Sequence, residues 1–224
     1  MLNKLKKTFV SLVYISICLN LVTANAENVA KDLTAHRISG KLEDLNLKTL
    51  PTWDGDLYLK RFDEIRDKKF LSYDGEDRRI PWFFTRDGCH MRSTHFTLEA
   101  ERLGYEVPKK IFIFGALEIR GTIVPNGAVE PWFHAAPIVQ VNGEAMVLDP
   151  AVDFSGPLKL EKWISLIVKD RSKVVYSICD SNSYLPTTSC NNPGPLDMKR
   201  LEEETQLFLR FEGNILRNLG LQHK

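Results

Sequence analysis

The sequence predicts an α+β domain, with a helix that begins at a cysteine, an antiparallel sheet after it, and further helices towards the C-terminal end. Three observations predict it. A helical pattern runs from about Cys89 to Leu103, with Asp87 placed as its N-cap and Gly104 as its stop. Asn142-Gly143 lies between two apolar runs, and this dipeptide is the strongest short hairpin signal because a type I′ turn needs positive φ at both central positions. A long helical pattern from Leu196 to Leu219 is capped by Pro195 before it and Gly220 after it.

The remaining elements follow in chain order. Residues 27 to about 55 have weak periodicity and read as an extended or partly helical lead-in. Asp56 to Lys69 fits an amphipathic helix with Leu57, Phe62 and Ile65 towards the core. A polar turn from Tyr73 to Arg79 precedes the apolar approach Pro81-Trp82-Phe83-Phe84. Lys110 to Arg120 reads as one strand, Trp132 to Val141 and Glu144 to Val152 as the two arms of the hairpin, Leu158 to Lys169 as a helix, and Lys173 to Cys179 as a strand. Neither repeats nor low-complexity segments interrupt the pattern. The 224 residues suffice for one domain with a sizeable core.

The first 26 residues differ from the rest. Lys4, Lys6 and Lys7 precede an apolar stretch from Phe9 to Val22, and Ala24-Asn25-Ala26 supplies small residues at a cleavage site. This is the layout of a secretory signal peptide, cleaved near Ala26, rather than of a membrane anchor, for which the apolar run is short. The mature chain is therefore expected to be secreted or periplasmic and free of the membrane. Its removal takes away three lysines and no acids, so the formal charge goes from +1 to −2. A nearly neutral chain has no basic field with which to hold nucleic acid.

Export also sets the cysteine arithmetic. Cys89, Cys179 and Cys190 remain in the mature chain, in a compartment where disulfides persist. Cys179 and Cys190 flank a short loop of Asn, Ser, Thr and Pro and are expected to pair. Cys89 is then alone, as an inert buried thiol, an intermolecular partner or a nucleophile.

The position of Cys89 favours the nucleophile. The partial positive charge at a helix N-terminus favours thiolate over thiol, and the unpaired N–H groups there suit an oxyanion. Gly88 beside it would let a substrate carbonyl approach. Five histidines are candidates for its base. His223 lies in the tail and His36 in the lead-in. His90 is adjacent to Cys89 and so is read as facing elsewhere on the helix, and His95 is far around it. His134 remains. If Asn142-Gly143 is a two-residue turn, Val141 faces Glu144, His134 faces Ala151 and Asp149 faces Ala136. His134 and Asp149 then share one face as diagonal neighbours, about 7–8 Å apart along the backbone and within side-chain reach. An aspartate there can hold the imidazole tautomer. A one-residue slip would destroy this arrangement. Taken singly, His134 reads as a core histidine and Asp149-Pro150 as a turn; only their combination with Cys89 points to chemistry. Gly88, His90, Trp82 and Trp132 are the candidate substrate-facing residues, although tryptophans so placed are more often core or rim. The sequence has no CxxC pair, HExxH, P-loop, GxGxxG or GxSxG, so neither a metal nor an organic cofactor is implied.

These residues carry a resemblance. Asp87-Gly88-Cys89-His90-Met91-Arg92, Gly104-Tyr105, Ile111-Phe112-Ile113-Phe114-Gly115, Trp132-Phe133-His134-Ala135-Ala136 and Leu148-Asp149-Pro150 are similar to the protein-glutaminase family of secreted bacterial enzymes. The resemblance covers roughly residues 80–155. It implies a papain- or transglutaminase-like core, in which Cys89 is the nucleophile, His134 the base and acid, and Asp149 the residue that orients it. It also implies an enzyme that deamidates glutamine side chains of protein or peptide substrates; the chain is expected to be a monomer. Two features depart from the family: His90 stands where an aromatic such as tyrosine is expected, and Gly121 to Glu130 is this chain's own. Some family members carry a pro-segment. The chain thus divides into a signal peptide (1–26), an N-terminal extension or pro-segment (27–75) and a catalytic domain (76–224). A transglutaminase or cysteine peptidase would use the same three residues, and a non-catalytic exported binding protein would leave Cys89 unreactive.

Overall fold

The computed structural model describes residues 33–120 and 127–221; the expected signal segment and its cleavage site lie outside the described residues. The fold is α+β. Its centre is a six-stranded sheet in the order β10-β4-β7-β8-β9, in which β4 is Lys109–Gly115, β7 Phe133–Val141, β8 Glu144–Val147, β9 Leu158–Lys159 and β10 Val174–Cys179. These strands are antiparallel, and β1 (Thr52–Trp53) adds a short parallel pairing to the end of β7.

Period-two alternation sends neighbouring residues of β4 and β7 into different cores. Ile111, Ile113, Ala136 and Ile138 pack under helix α3 (Leu160–Ile167), which buries Trp163, Ile164 and Ile167 against them. Val139 and Val141 meet Trp53, Trp82 and two helices, α1 (Tyr58–Asp67) through Phe62 and Ile65, and α2 (Cys89–Arg102) through Phe96 and Ala100. Helix α2 lies across β7 and is buried on nearly all sides. Its polar residues tolerate this because Ser93 and Thr94 return their hydroxyls to the His90 carbonyl, and Thr97 to that of Thr94. Helix α4 (Met198–Asn218) packs beside α2.

The hairpin forms in the predicted register. Asn142 and Gly143 have φ of 50° and 82°, and Val141 pairs with Glu144. The second arm, expected to reach Val152, ends as a strand at Val147. Leu148 still donates to the Pro137 carbonyl, but the Asp149 carbonyl then accepts from Val152 and Asp153 in a turn, so Ala151 never faces His134. Pro150 has no N–H with which to continue a ladder.

Other boundaries differ for local reasons. The strand expected over 110–120 stops at Gly115, whose backbone sits so close to the Lys173 carbonyl that a Cβ would lie 2.1 Å from its oxygen; Ile119–Arg120 then forms β5 with β6 (Ala128–Val129). The polar turn at 73–79 is a small hairpin, β2 (Leu71–Tyr73) and β3 (Glu76–Arg78), around Asp74-Gly75. Leu57 is exposed just before α1 rather than turned inward. Leu158 and Lys159 belong to the sheet before α3 begins. The N-cap of α4 is Asp197, whose side chain accepts from Arg200 N–H, and not Pro195.

Candidate active site

Cys89 is the first residue of α2 and is buried; Cys179 and Cys190 form the expected disulfide, with Cα atoms 4.5 Å apart. The chain reaches Cys89 through a braced loop. The Gly88 N–H donates to Asp87 Oδ1 at 2.6 Å, so Asp87 bonds its own neighbour and leaves the helix uncapped by any side chain. The buried Arg92 guanidinium donates from Nη1 to the carbonyls of Phe84 and Asp87, which ties the loop to the helix it precedes. Gly88 has φ 78°, and a Cβ there would lie 2.8 Å from the Phe208 ring. Its missing side chain therefore admits α4 against the loop, where the sequence had suggested room for a substrate.

His134 and Asp149 meet as the register requires. His134 Nε2–H donates to Asp149 Oδ2 at 2.7 Å, and both are buried. Trp163 Nε1–H donates to the same oxygen at 2.9 Å, while Asp149 Oδ1 accepts from Ala151 N–H at 3.3 Å. Burial opposes the Asp149 carboxylate, but the charge and hydrogen bond of His134, the Trp163 donor and the Arg92 charge hold its pKa below the ordinary value. With Nε2 committed to Asp149, Nδ1 is the His134 nitrogen left for Cys89. Burial disfavours the Cys89 thiolate, yet hydrogen bonding to His134 and His90, together with the charges of both rings, outweighs it and lowers the thiol pKa to about 5. Burial likewise opposes the His134 cation, but Asp149 and Cys89 raise its pKa to about 9. A thiolate–imidazolium pair is the resting state this arrangement favours between those values.

His90 corrects the sequence reading, which turned it away from Cys89. In the first helical turn, side chains tilt past the helix end, where no earlier turn separates neighbours, and the imidazole is long enough to reach the sulfur. Its other partner, Glu204, is 114 residues distant and left no signal in the sequence. Trp163 and Arg92 were equally unassigned, although Arg92 lies inside the Asp87–Arg92 motif. His95 points elsewhere, with Nε2 at 2.7 Å from Thr205 Oγ1, and burial lowers its pKa to about 4. Trp82 is not substrate-facing: it is 1 % exposed, and its indole N–H goes to the Arg66 carbonyl. Trp132 is 56 % exposed, packs on Phe133, and so remains available at the surface.

The family model described as Glutaminase matches residues 59–167, a segment that includes Cys89, His134, Asp149 and Trp163. A crystal structure of protein-glutaminase superposes with a TM-score of 0.55 at 19% identity, covering 73% of this chain and 89% of that one. The NMR structure of protein-glutaminase from Chryseobacterium proteolyticum gives 0.54 at 20% identity, over 72% and 88%. A crystal structure of pro-protein-glutaminase gives 0.54 at 20% identity, over 83% of this chain and 66% of that one. No curated protein matches the sequence. The match to the glutaminase family model spans just under half of the chain, and together with the fold shared with the protein-glutaminases it supports a glutamine-deamidating hydrolase.

Proposed function

We propose that the chain is exported and deamidates protein-bound glutamine, with Cys89 as nucleophile, His134 as acid and base, and Asp149 as the group that orients His134. The observation that carries this reading is the buried chain of contacts from Trp163 through Asp149 and His134 to Cys89. The Cys89 thiolate attacks the side-chain carboxamide carbon, and the negative charge passes to the former carbonyl oxygen. The first-turn N–H groups of α2 are the donors placed to receive it. His134 gives its proton to the amide nitrogen as the oxyanion re-forms the carbonyl and the C–N bond breaks, so ammonia leaves and a thioester remains on Cys89. Forming the thioester removes the thiolate charge that raised the His134 pKa. The neutral ring then takes a proton from water, hydroxide attacks the thioester, and glutamate and the Cys89 thiolate are released.

Exposed Trp132, on the strand approach to His134, is the candidate contact for a protein substrate. Export rests on the basic, apolar and small-residue pattern of the first 26 residues, and no helix among the described residues is long and apolar enough to cross a membrane.

The test is ammonia release from a glutamine-rich protein, with mass spectrometry of the product. Glutamine converted to glutamate without crosslinking or cleavage is expected, and Cys89→Ala or Cys89→Ser should abolish it. Full activity in either variant would end the reading. Crosslinked product would instead indicate amine transfer, and cleaved peptide proteolysis.

A further inference from the structure

The second imidazole beside Cys89 has no place in the mechanism above. His90 Nε2–H donates to Glu204 Oε2 at 2.6 Å, and the Tyr184 hydroxyl donates to that same oxygen at 2.6 Å. Arg200 Nε–H donates to Glu204 Oε1 at 2.8 Å. The carboxylate is thus satisfied by three donors and stays ionised, which favours a charged His90 ring. Tyr184 also meets that ring edge-on, with centroids 4.9 Å apart, and fixes its plane. The other nitrogen, His90 Nδ1, is buried and makes no hydrogen bond of ordinary geometry. With Nε2 committed to Glu204, Nδ1 is the His90 nitrogen left for the adjacent Cys89.

Resting on the reading of Cys89 as nucleophile, we infer that His90, clamped by Glu204 and Tyr184, is a second imidazolium on the Cys89 thiolate and a catalytic residue of the deamidation. The site divides the labour between its two rings. His134 must lose and regain a proton in each turnover. His90, tied to a carboxylate that never leaves it, stays charged throughout. It holds the thiolate before attack, and in the thioester its charge disfavours a proton on neighbouring His134, which keeps that ring free to activate water.

The surroundings agree with this assignment. Burial opposes a charged His90, but the hydrogen bonds and charges of Cys89 and Glu204 raise its pKa to about 9. Burial raises the Glu204 pKa, while His90, Tyr184 and Arg200 outweigh it and bring it to about 2. Two further cations act on Cys89, Arg92 from α2 itself and Lys110 from β4. Lys110 Nζ is already engaged by Thr94 Oγ1 and the Ser183 carbonyl, and Arg92 by the loop carbonyls. His90 is set apart from both by a buried ring nitrogen that has no other partner, one residue from the sulfur.

The experiment follows the rate of Cys89 alkylation by iodoacetamide against pH in the full chain, read on the Cys89 peptide by mass spectrometry. It compares His90→Phe, Glu204→Gln and the double variant with the unaltered protein. His90→Phe keeps an aromatic ring without charge. Glu204→Gln keeps size and hydrogen bonding, so it remains readable even if the first variant folds poorly. Both are expected to move the alkylation midpoint to higher pH by a unit or more, which slows the reaction ~10-fold on its acid side. The acid limb of ammonia release should move with it. Glu204→Gln should add nothing in the His90→Phe background, because it acts through that ring. Unmoved midpoints in both single variants overturn the inference, as does an equal Glu204 effect without His90. An ordinary thiol midpoint in the unaltered protein would instead overturn the nucleophile reading itself.

Discussion

Replacing Gly88 by alanine tests how Cys89 is seated. Two costs arise at once. At φ 78° an L-residue is in left-handed territory, which costs about 1–2 kcal/mol. The new Cβ would also lie 2.8 Å from two carbons of the Phe208 ring. That ring is buried and stacked on Phe84 with centroids 5.4 Å apart, so it has little room to yield, and overpacking of this kind costs about 1–3 kcal/mol. The lower chain entropy of unfolded alanine returns about 0.4–1 kcal/mol. The net expectation is a loss of about 1–5 kcal/mol in urea unfolding, or roughly 2–20 °C in Tm for a domain of this size. Phe208→Leu in the same background should recover the steric part and leave the backbone part. The alkylation rate of Cys89 should fall in the single variant, since the strain sits one residue from the sulfur. A cost below about 0.5 kcal/mol, or full recovery by Phe208→Leu, would refute the two-part account.

Other expectations follow from the same contacts. Asp149→Asn leaves His134 Nε2–H facing an amide and should lower kcat by about 10³–10⁴-fold with little change in KM. Trp163→Phe removes one donor to the carboxylate and should cost about 10–100-fold in kcat, on the scale of a hydrogen bond to a charged group. Deamidation should follow a bell-shaped pH profile, rising as Cys89 loses its proton near pH 5 and falling as His134 loses the one needed by ammonia near pH 9; a flat profile across that range would count against the ion pair. Replacing Cys179 and Cys190 by alanine opens a loop with a sequence separation of 11, so urea titration should show a loss of about 2.8 kcal/mol if the chain-entropy account of the disulfide holds.

What could be read in advance was what the chain determines locally. His134 and Asp149 are joined by a hairpin whose turn is declared by Asn142-Gly143, so counting residues sufficed to bring them together. The disulfide spans a short loop and was equally legible. The strand ends were not, because Asp149 turns the chain with its own carbonyl and Gly115 stops beside Lys173, and neither contact has a periodic signature. Trp82 was misplaced because an indole in an apolar run looks the same from sequence whether it faces solvent or the Arg66 carbonyl. His90 was set aside by a rule for helix interiors that does not hold at a first turn. Glu204 could not be found at all, since only the packing of α4 on α2 brings it to the site.

The placement of α4 has a consequence for the order in which the parts of the site come together along the chain. The hairpin half of the centre, including Trp163, is complete by residue 163, whereas Glu204 and the Phe208 ring that abuts Gly88 arrive on the final helix of the described residues. Without α4, His90 loses the carboxylate it is bonded to and the loop before Cys89 loses the ring that abuts Gly88. The setting of the sulfur is thereby tied to the docking of α4 on α2.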